Sequence, residues 1–154
     1  MVIEYPFVVR IPKAMFDDML AHVIADYPNE ACGLLASKND EIVKNYPTAN
    51  AAERPDDFSE ISPEDLLRIA YDIDEYDGEM YSYYHSHTQT EAYPSPRDIE
   101  WAKRNKLYYI IFSLRNYPEP PYARVFSIDE DGMVTEGKIE IRECISSQQG
   151  MPLP

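Results

Sequence analysis

The residues best equipped for chemistry in this chain are His85-Ser86-His87 and the nearby Asp98. Only three histidines occur among 154 residues, and two of them are separated by a single residue. If this segment is a strand, alternation sends both imidazoles to the same side, where two neutral nitrogens can share one divalent cation. Asp98 falls at a helix start just downstream, so one strand–loop–helix unit would bring a carboxylate back to the imidazoles. Two histidines and one carboxylate leave a fourth tetrahedral position for water, as in a catalytic rather than a structural zinc site. Spacing alone leaves other readings open. An H-x-H pair also arises from ordinary packed or surface histidines. Ser95 and Asp98 form the helix-capping pattern S-x-x-D, which Ser62 and Asp65 repeat with no histidine nearby.

A hydrolytic zinc also needs a carboxylate that is not a ligand, to take a proton from water and return it to the leaving amine. Glu30 is a candidate, placed where a first helix gives way to the apolar run Ala31-Cys32-Gly33-Leu34-Leu35. With 28 acidic residues in the chain, spacing does not select it. His22 reads as a helix-surface histidine, and Cys32 as a buried structural thiol. Cys144 has no partner group.

The elements that must hold these residues can be read from periodicity. Residues 7–11 form a first strand. Pro12 suits the opening of a helix, and Met15, Met19, Leu20, Val23, Ile24 and Tyr27 recur at helical spacing, predicting a helix over 12–27. A buried strand is expected over 31–36, a turn at 38–40 and a second strand over 41–47. A further short strand is expected at 58–61. Ser62-Pro63-Glu64-Asp65 starts a helix to about Tyr76, with Leu66, Leu67, Ile69, Ala70 and Ile73 buried. Residues 80–87 form the strand bearing the histidines, and 95–105 the next helix. Strands at 107–114, 122–128 and 133–141 complete the pattern. The fold class is α/β (α+β), a single mixed sheet flanked by three helices. One domain is expected over 1–142, with 143–154 a flexible tail.

The formal net charge of −14 argues against nucleic acid, whose affinity comes from lysine and arginine on phosphates, and against an anionic membrane surface. The N-terminus lacks the basic and apolar regions of a secretion signal, and no run approaches a membrane span. Two cysteines are too few for a disulfide scaffold, so a cytoplasmic location is expected. Composition leaves monomer and homodimer both open.

His85-Ser86-His87, then Ser95 and Asp98, match H-x-H-x(7)-S-x-x-D in every spacing. The chain therefore resembles the JAMM (MPN-plus) metallopeptidases from about Phe7 to Ile141. The run from Tyr84 to Ser95 is most similar to small bacterial Mec-type members. The resemblance implies a JAB1/MPN-like (cytidine-deaminase-like) fold and one zinc ion held by His85, His87 and Asp98. It also implies Glu30 as general base and then acid, and Ser95 as donor to the tetrahedral oxyanion. The implied substrate is a ubiquitin-like sulfur-carrier protein whose C-terminal glycine carries a cysteine. A deubiquitinase-like isopeptidase, a small-amide hydrolase and a non-catalytic MPN scaffold are the alternatives. Thr88 departs from the pattern, since many members carry proline there. That departure bears on the following loop and the choice of substrate.

Overall fold

The computed structural model describes residues 4–143. Seven strands and three helices follow one another as β1 (Val8–Pro12), α1 (Lys13–Asp26), β2 (Cys32–Lys38), β3 (Glu41–Thr48), α2 (Pro63–Glu75), β4 (Glu79–His87), α3 (Pro96–Ala102), β5 (Tyr108–Ser113), β6 (Ala123–Ile128) and β7 (Val134–Arg142). They build one sheet in the order β1-β7-β6-β5-β4-β2-β3. The β1–β7 and β4–β5 pairs are parallel and the others antiparallel, so the sheet is mixed, as expected. Among the described residues, no helix is long and apolar enough to cross a membrane.

Local chemistry explains most boundaries. Asn39 and Asp40 take φ of 54° and 65°, the left-handed pair that closes a two-residue β2–β3 hairpin and that Asn and Asp tolerate best. Ser62 caps α2 by accepting from the Asp65 N–H, and Pro63 fills the first helical position, where no N–H is needed. Ser95 and Asp98 cap α3 in the same way, with both halves of the capping box made. Gly132, at φ 84°, turns the chain between β6 and β7.

Strand alternation divides the core into two layers. One face packs Val9, Ile11, Leu35, Tyr84, Ile110, Phe112 and Val125 against Phe16, Met19 and Val23 of α1. The other packs Leu34, Tyr83, Tyr109, Ile111 and Phe126 against Ile69 and Ile73 of α2, and against Ile99, Trp101 and Ala102 around α3. Each fully buried Leu, Ile or Phe contributes roughly 1.5–3 kcal/mol by leaving water, so both layers stabilise the interior strands β2, β4 and β5. Gly33 is required where it stands. A Cβ there would lie 2.6 Å from the Tyr84 ring, which crosses β2 at that point.

Several expectations are corrected. Residues 58–61 form no strand; their polar groups are taken up by Asn50 and Tyr83 instead of a neighbouring strand. On α1, Ile24 and Tyr27 are exposed and Phe16 is buried, because the helix rests on the sheet along its Phe16–Met19–Val23 stripe. On α2, Leu67 and Ala70 face outward, and the buried stripe is Ile69 and Ile73. The third helix stops at Ala102, with turns carrying the chain to β5. The expected tail and Cys144 lie outside the described residues, apart from Glu143.

Candidate metal centre

His85 and His87 end β4 on the face covered by α2 and α3, in alternation with Tyr83. Asp98 sits in the first turn of α3, and the loop between β4 and α3 returns it to the strand. Four observations define the geometry. His85 Nε2 and His87 Nε2 are 3.1 Å apart. Asp98 Oδ2 lies 3.1 Å from His87 Nε2 and 3.3 Å from His85 Nε2. All three side chains are buried. His87 Nδ1 donates to the Glu91 carbonyl at 2.8 Å, which leaves Nε2 with a lone pair aimed at the centre.

The spacing of this donor set fits a cation. Around a tetrahedral ion with bonds of about 2.0–2.2 Å, neighbouring donors stand about 3.3–3.6 Å apart, close to the triangle found. At His87 burial would lower the pKa, but the hydrogen bonds to Asp98 and the Glu91 carbonyl outweigh it and raise it, so without a cation a proton on Nε2 would lie between His87 and Asp98. The Ser95 N–H also donates to Asp98 Oδ2, at 2.9 Å, so one oxygen both caps the helix and completes the triangle. His85 is fully enclosed, with its ring packed between Tyr83 and Tyr109 at centroid distances of 5.5 and 5.3 Å. Its Nδ1 has no partner among the described residues, so packing rather than hydrogen bonding orients it.

Electrostatics differ between the two imidazoles. Burial, opposed by Asp98, lowers the pKa of His85 and favours the neutral, ligating imidazole. At Asp98 burial alone would raise the pKa, but His85, His87 and the Ser95 N–H outweigh it and hold the carboxyl well below its usual range. Glu30 behaves in the opposite way. Burial pushes it up to about 8, with His87 opposing and the Asp98 charge adding. A buried carboxyl poised near neutrality, within reach of the His87 charge, suits proton transfer.

Glu30 is placed by its neighbours in the chain. Its N–H donates to the Pro55 carbonyl at 2.7 Å, and its own carbonyl accepts from Asn50 Nδ2 at 2.9 Å. The next residue, Ala31, is clamped to β4: its N–H donates to Ser86 Oγ at 2.9 Å, and its carbonyl accepts from the Ser86 N–H at 3.1 Å. Ser86 thus separates the two histidines and also ties the Glu30 segment to their strand.

Residues 12–128 match the family model described as prokaryotic homologs of the JAB domain. The chain belongs to this family. A CysO-cysteine peptidase from Mycobacterium tuberculosis is 34% identical, over 89% of this chain and 93% of its own length. A probable TtuB-protein conjugate cleaving protease from Thermus thermophilus is 30% identical, over 68% and 70% of the two chains. The solution structure of a Desulfitobacterium hafniense protein superposes with a TM-score of 0.76 at 33% identity, covering 89% of this chain and 94% of that one. The JAMM resemblance read from the motif therefore holds, and the chain is a hydrolase of the peptidase type.

Within this JAB domain the remaining candidates separate clearly. Ser95 is half-buried at the start of α3, and its hydroxyl accepts from the Asp98 N–H at 3.1 Å, leaving its own proton free to donate. Cys32 is buried, with Sγ 3.4 Å from Thr48 Oγ1; burial raises its pKa, which marks a structural thiol rather than a nucleophile. His22 Nδ1 is hydrogen-bonded to Tyr84 OH at 2.9 Å, on the opposite face of the sheet from the metal-type cluster. Ser86 and Asn50 were not singled out from the sequence. Alternation gave a signal for Ser86, since it must point away from the two imidazoles. Asn50 gave none.

Proposed function

We propose that this chain is a cytoplasmic zinc peptidase that hydrolyses the bond after the C-terminal glycine of a ubiquitin-like sulfur carrier and releases cysteine. The observation that carries this reading is the triangle of His85, His87 and Asp98 donors, no side longer than 3.3 Å, with a buried Glu30 alongside. Similarity to a CysO-cysteine peptidase over nearly the whole chain supports the leaving group. His85, His87 and Asp98 would hold the zinc. When bound, the ion would supply Lewis acidity toward water and the scissile carbonyl.

The protein's own groups perform the remaining steps. Glu30 accepts a proton from the attacking water as its oxygen bonds to the glycyl carbon. It then delivers that proton to the leaving amine as the carbon–nitrogen bond breaks. Ser95 Oγ donates to the carbonyl oxygen as negative charge develops there. The extended carrier tail is expected to pair through its main chain with an exposed strand edge.

A second reading, cleavage of isopeptide conjugates of such a carrier, is favoured by the similarity to the conjugate-cleaving protease from Thermus. The deciding experiment incubates the purified protein with a carrier bearing C-terminal cysteine and, in parallel, with a carrier–lysine isopeptide conjugate. Mass spectrometry follows both, with and without a chelator. Chelator-sensitive release of cysteine is expected. Cleavage of the isopeptide alone would favour the second reading, and cleavage of neither would end both.

A further inference from the structure

The chain is strongly acidic, yet one positive charge beside the site is left without a carboxylate. Arg97 lies in the first turn of α3, between Ser95 and Asp98 in the chain. Its guanidinium carbon sits 3.6 Å above the centre of the Phe58 ring. Arg10, Arg54, Arg68, Arg124 and Arg142 each pair with an Asp or Glu, whereas Arg97 forms no salt bridge among the described residues. Arg104 and Arg115 also lack one, but neither stacks on a ring or adjoins Glu30's loop. Phe58 in turn is tied to Glu30. Asn50 Nδ2 donates to the carbonyls of Glu30 and Phe58 at 2.9 and 2.8 Å, and the Glu30 N–H binds the carbonyl of Pro55 in the same loop. The Arg97 charge is close enough to Glu30 to favour its ionised form.

Stacking matters because it removes freedom. A free arginine side chain loses rotamer entropy when it binds a ligand, whereas one already held flat on an aromatic face has lost much of it. A guanidinium resting on the ring through its carbon keeps N–H groups for two parallel donors.

From this arrangement, and resting on the reading under Proposed function, we propose that Arg97, held on Phe58, binds the free α-carboxylate of the amino acid leaving the carrier and so selects a single terminal residue over an internal peptide. The chemistry of the leaving group gives the reason. Glu30 must stand beside the departing nitrogen to protonate it, and an α-carboxylate is joined to that nitrogen through one carbon. An exposed cation resting on Phe58 and acting on Glu30 is therefore where that carboxylate needs its partner. Hydrolysis leaves the carboxylate unchanged. The water oxygen bonds to the glycyl carbon, the carbon–nitrogen bond breaks, and the amine leaves with the proton Glu30 carried. An isopeptide-linked lysine or a longer chain has no carboxylate at this distance, so Arg97 acts as a specificity determinant rather than a catalytic residue.

The test compares two substrates differing at one group: carrier–cysteine with a free carboxylate, and the same conjugate as its C-terminal amide. Initial rates are measured for wild type, Arg97→Ala and Arg97→Lys, with kcat and KM resolved. Wild type is expected to prefer the acid by about tenfold or more, the usual worth of a hydrogen bond to a charged group. In Arg97→Ala that ratio falls to about one, chiefly through KM for the acid, and Arg97→Lys retains part of it. Taking a ratio within each variant cancels any general loss of folded protein. A ratio unchanged in Arg97→Ala, or a wild type that treats acid and amide alike, overturns the inference while leaving the peptidase reading intact. If wild type cleaves neither substrate, the cysteine-releasing reading fails and this inference goes with it.

Discussion

Ser86 Oγ accepts the backbone N–H of Ala31 at 2.9 Å, and the Ser86 N–H is returned to the Ala31 carbonyl at 3.1 Å. The residue between the two imidazoles therefore grips the residue after the buried acid, from the far side of its own strand. Ser86→Ala would leave a buried N–H unpaired, at a cost of roughly 1–3 kcal/mol. It would also loosen Glu30 against the histidines. Denaturant unfolding should show that loss of stability. Turnover should fall through kcat, with KM and bound metal little changed. A variant with full kcat would show that the clamp does not position Glu30.

Glu30 should cost the metal-free protein stability at neutral pH. Burial, first among its influences, raises its folded pKa to about 8, against about 4.3 in an unfolded chain. The folded state therefore holds its proton more tightly than the unfolded state does. The associated stability is fully present below the unfolded pKa and is lost as pH rises through about 8. Glu30→Gln, neutral at every pH, should melt above wild type at pH 7–8, by an amount equivalent to roughly 4 kcal/mol. The gap should close as pH falls toward 4. The same variant should retain metal and lose turnover. An equal gap at pH 4 and pH 8 would contradict the burial argument.

Asp98 serves two structures with one oxygen, and two substitutions separate them. Asp98→Asn keeps an acceptor for the Ser95 N–H but gives up the negative charge. It should preserve the start of α3 while losing zinc affinity beyond the roughly 10–100-fold that an outer partner is worth. Asp98→Ala removes the cap as well, and its metal-free form should be less stable than Asp98→Asn by about 1 kcal/mol. Metal titration and thermal melting read the two effects independently. Wild-type zinc affinity in Asp98→Asn would remove Asp98 from the ligand set.

What the sequence made legible follows from how local each signal is. The capping pair Ser62–Asp65, the Asn39–Asp40 turn and the alternation of His85 with His87 each depend on a few adjacent residues, and each is found in the structure. The motif spacing led to the JAB family for the same reason. The stripe on α1 was misplaced because Ile24 and Tyr27 keep helical spacing without meeting the sheet, and only packing distinguishes them from Phe16. Residues 58–61 looked like a strand because their composition suits one. What they pair with is the Asn50 side chain, eight to ten residues back, and Tyr83, twenty-four residues from Ser59. The selection of Glu30 came from resemblance alone, since its burial and its ties through Ala31 and Asn50 arise only once β2 and β4 are side by side.

Asn50 has a consequence of another kind. Its amide nitrogen bonds the carbonyls of Glu30 and Phe58, and its amide oxygen takes the N–H groups of Ala52 and Glu60. The loop that follows is thus drawn shut at its neck, while Glu53 and Arg54 project outward at the tip. Extra length grafted between those two would add little closure entropy, and the Asn50 bonds and the Pro55 carbonyl under the Glu30 N–H lie on either side of it. A larger relative could grow a recognition arm there, reaching toward bulkier substrates, without displacing the buried acid beneath it.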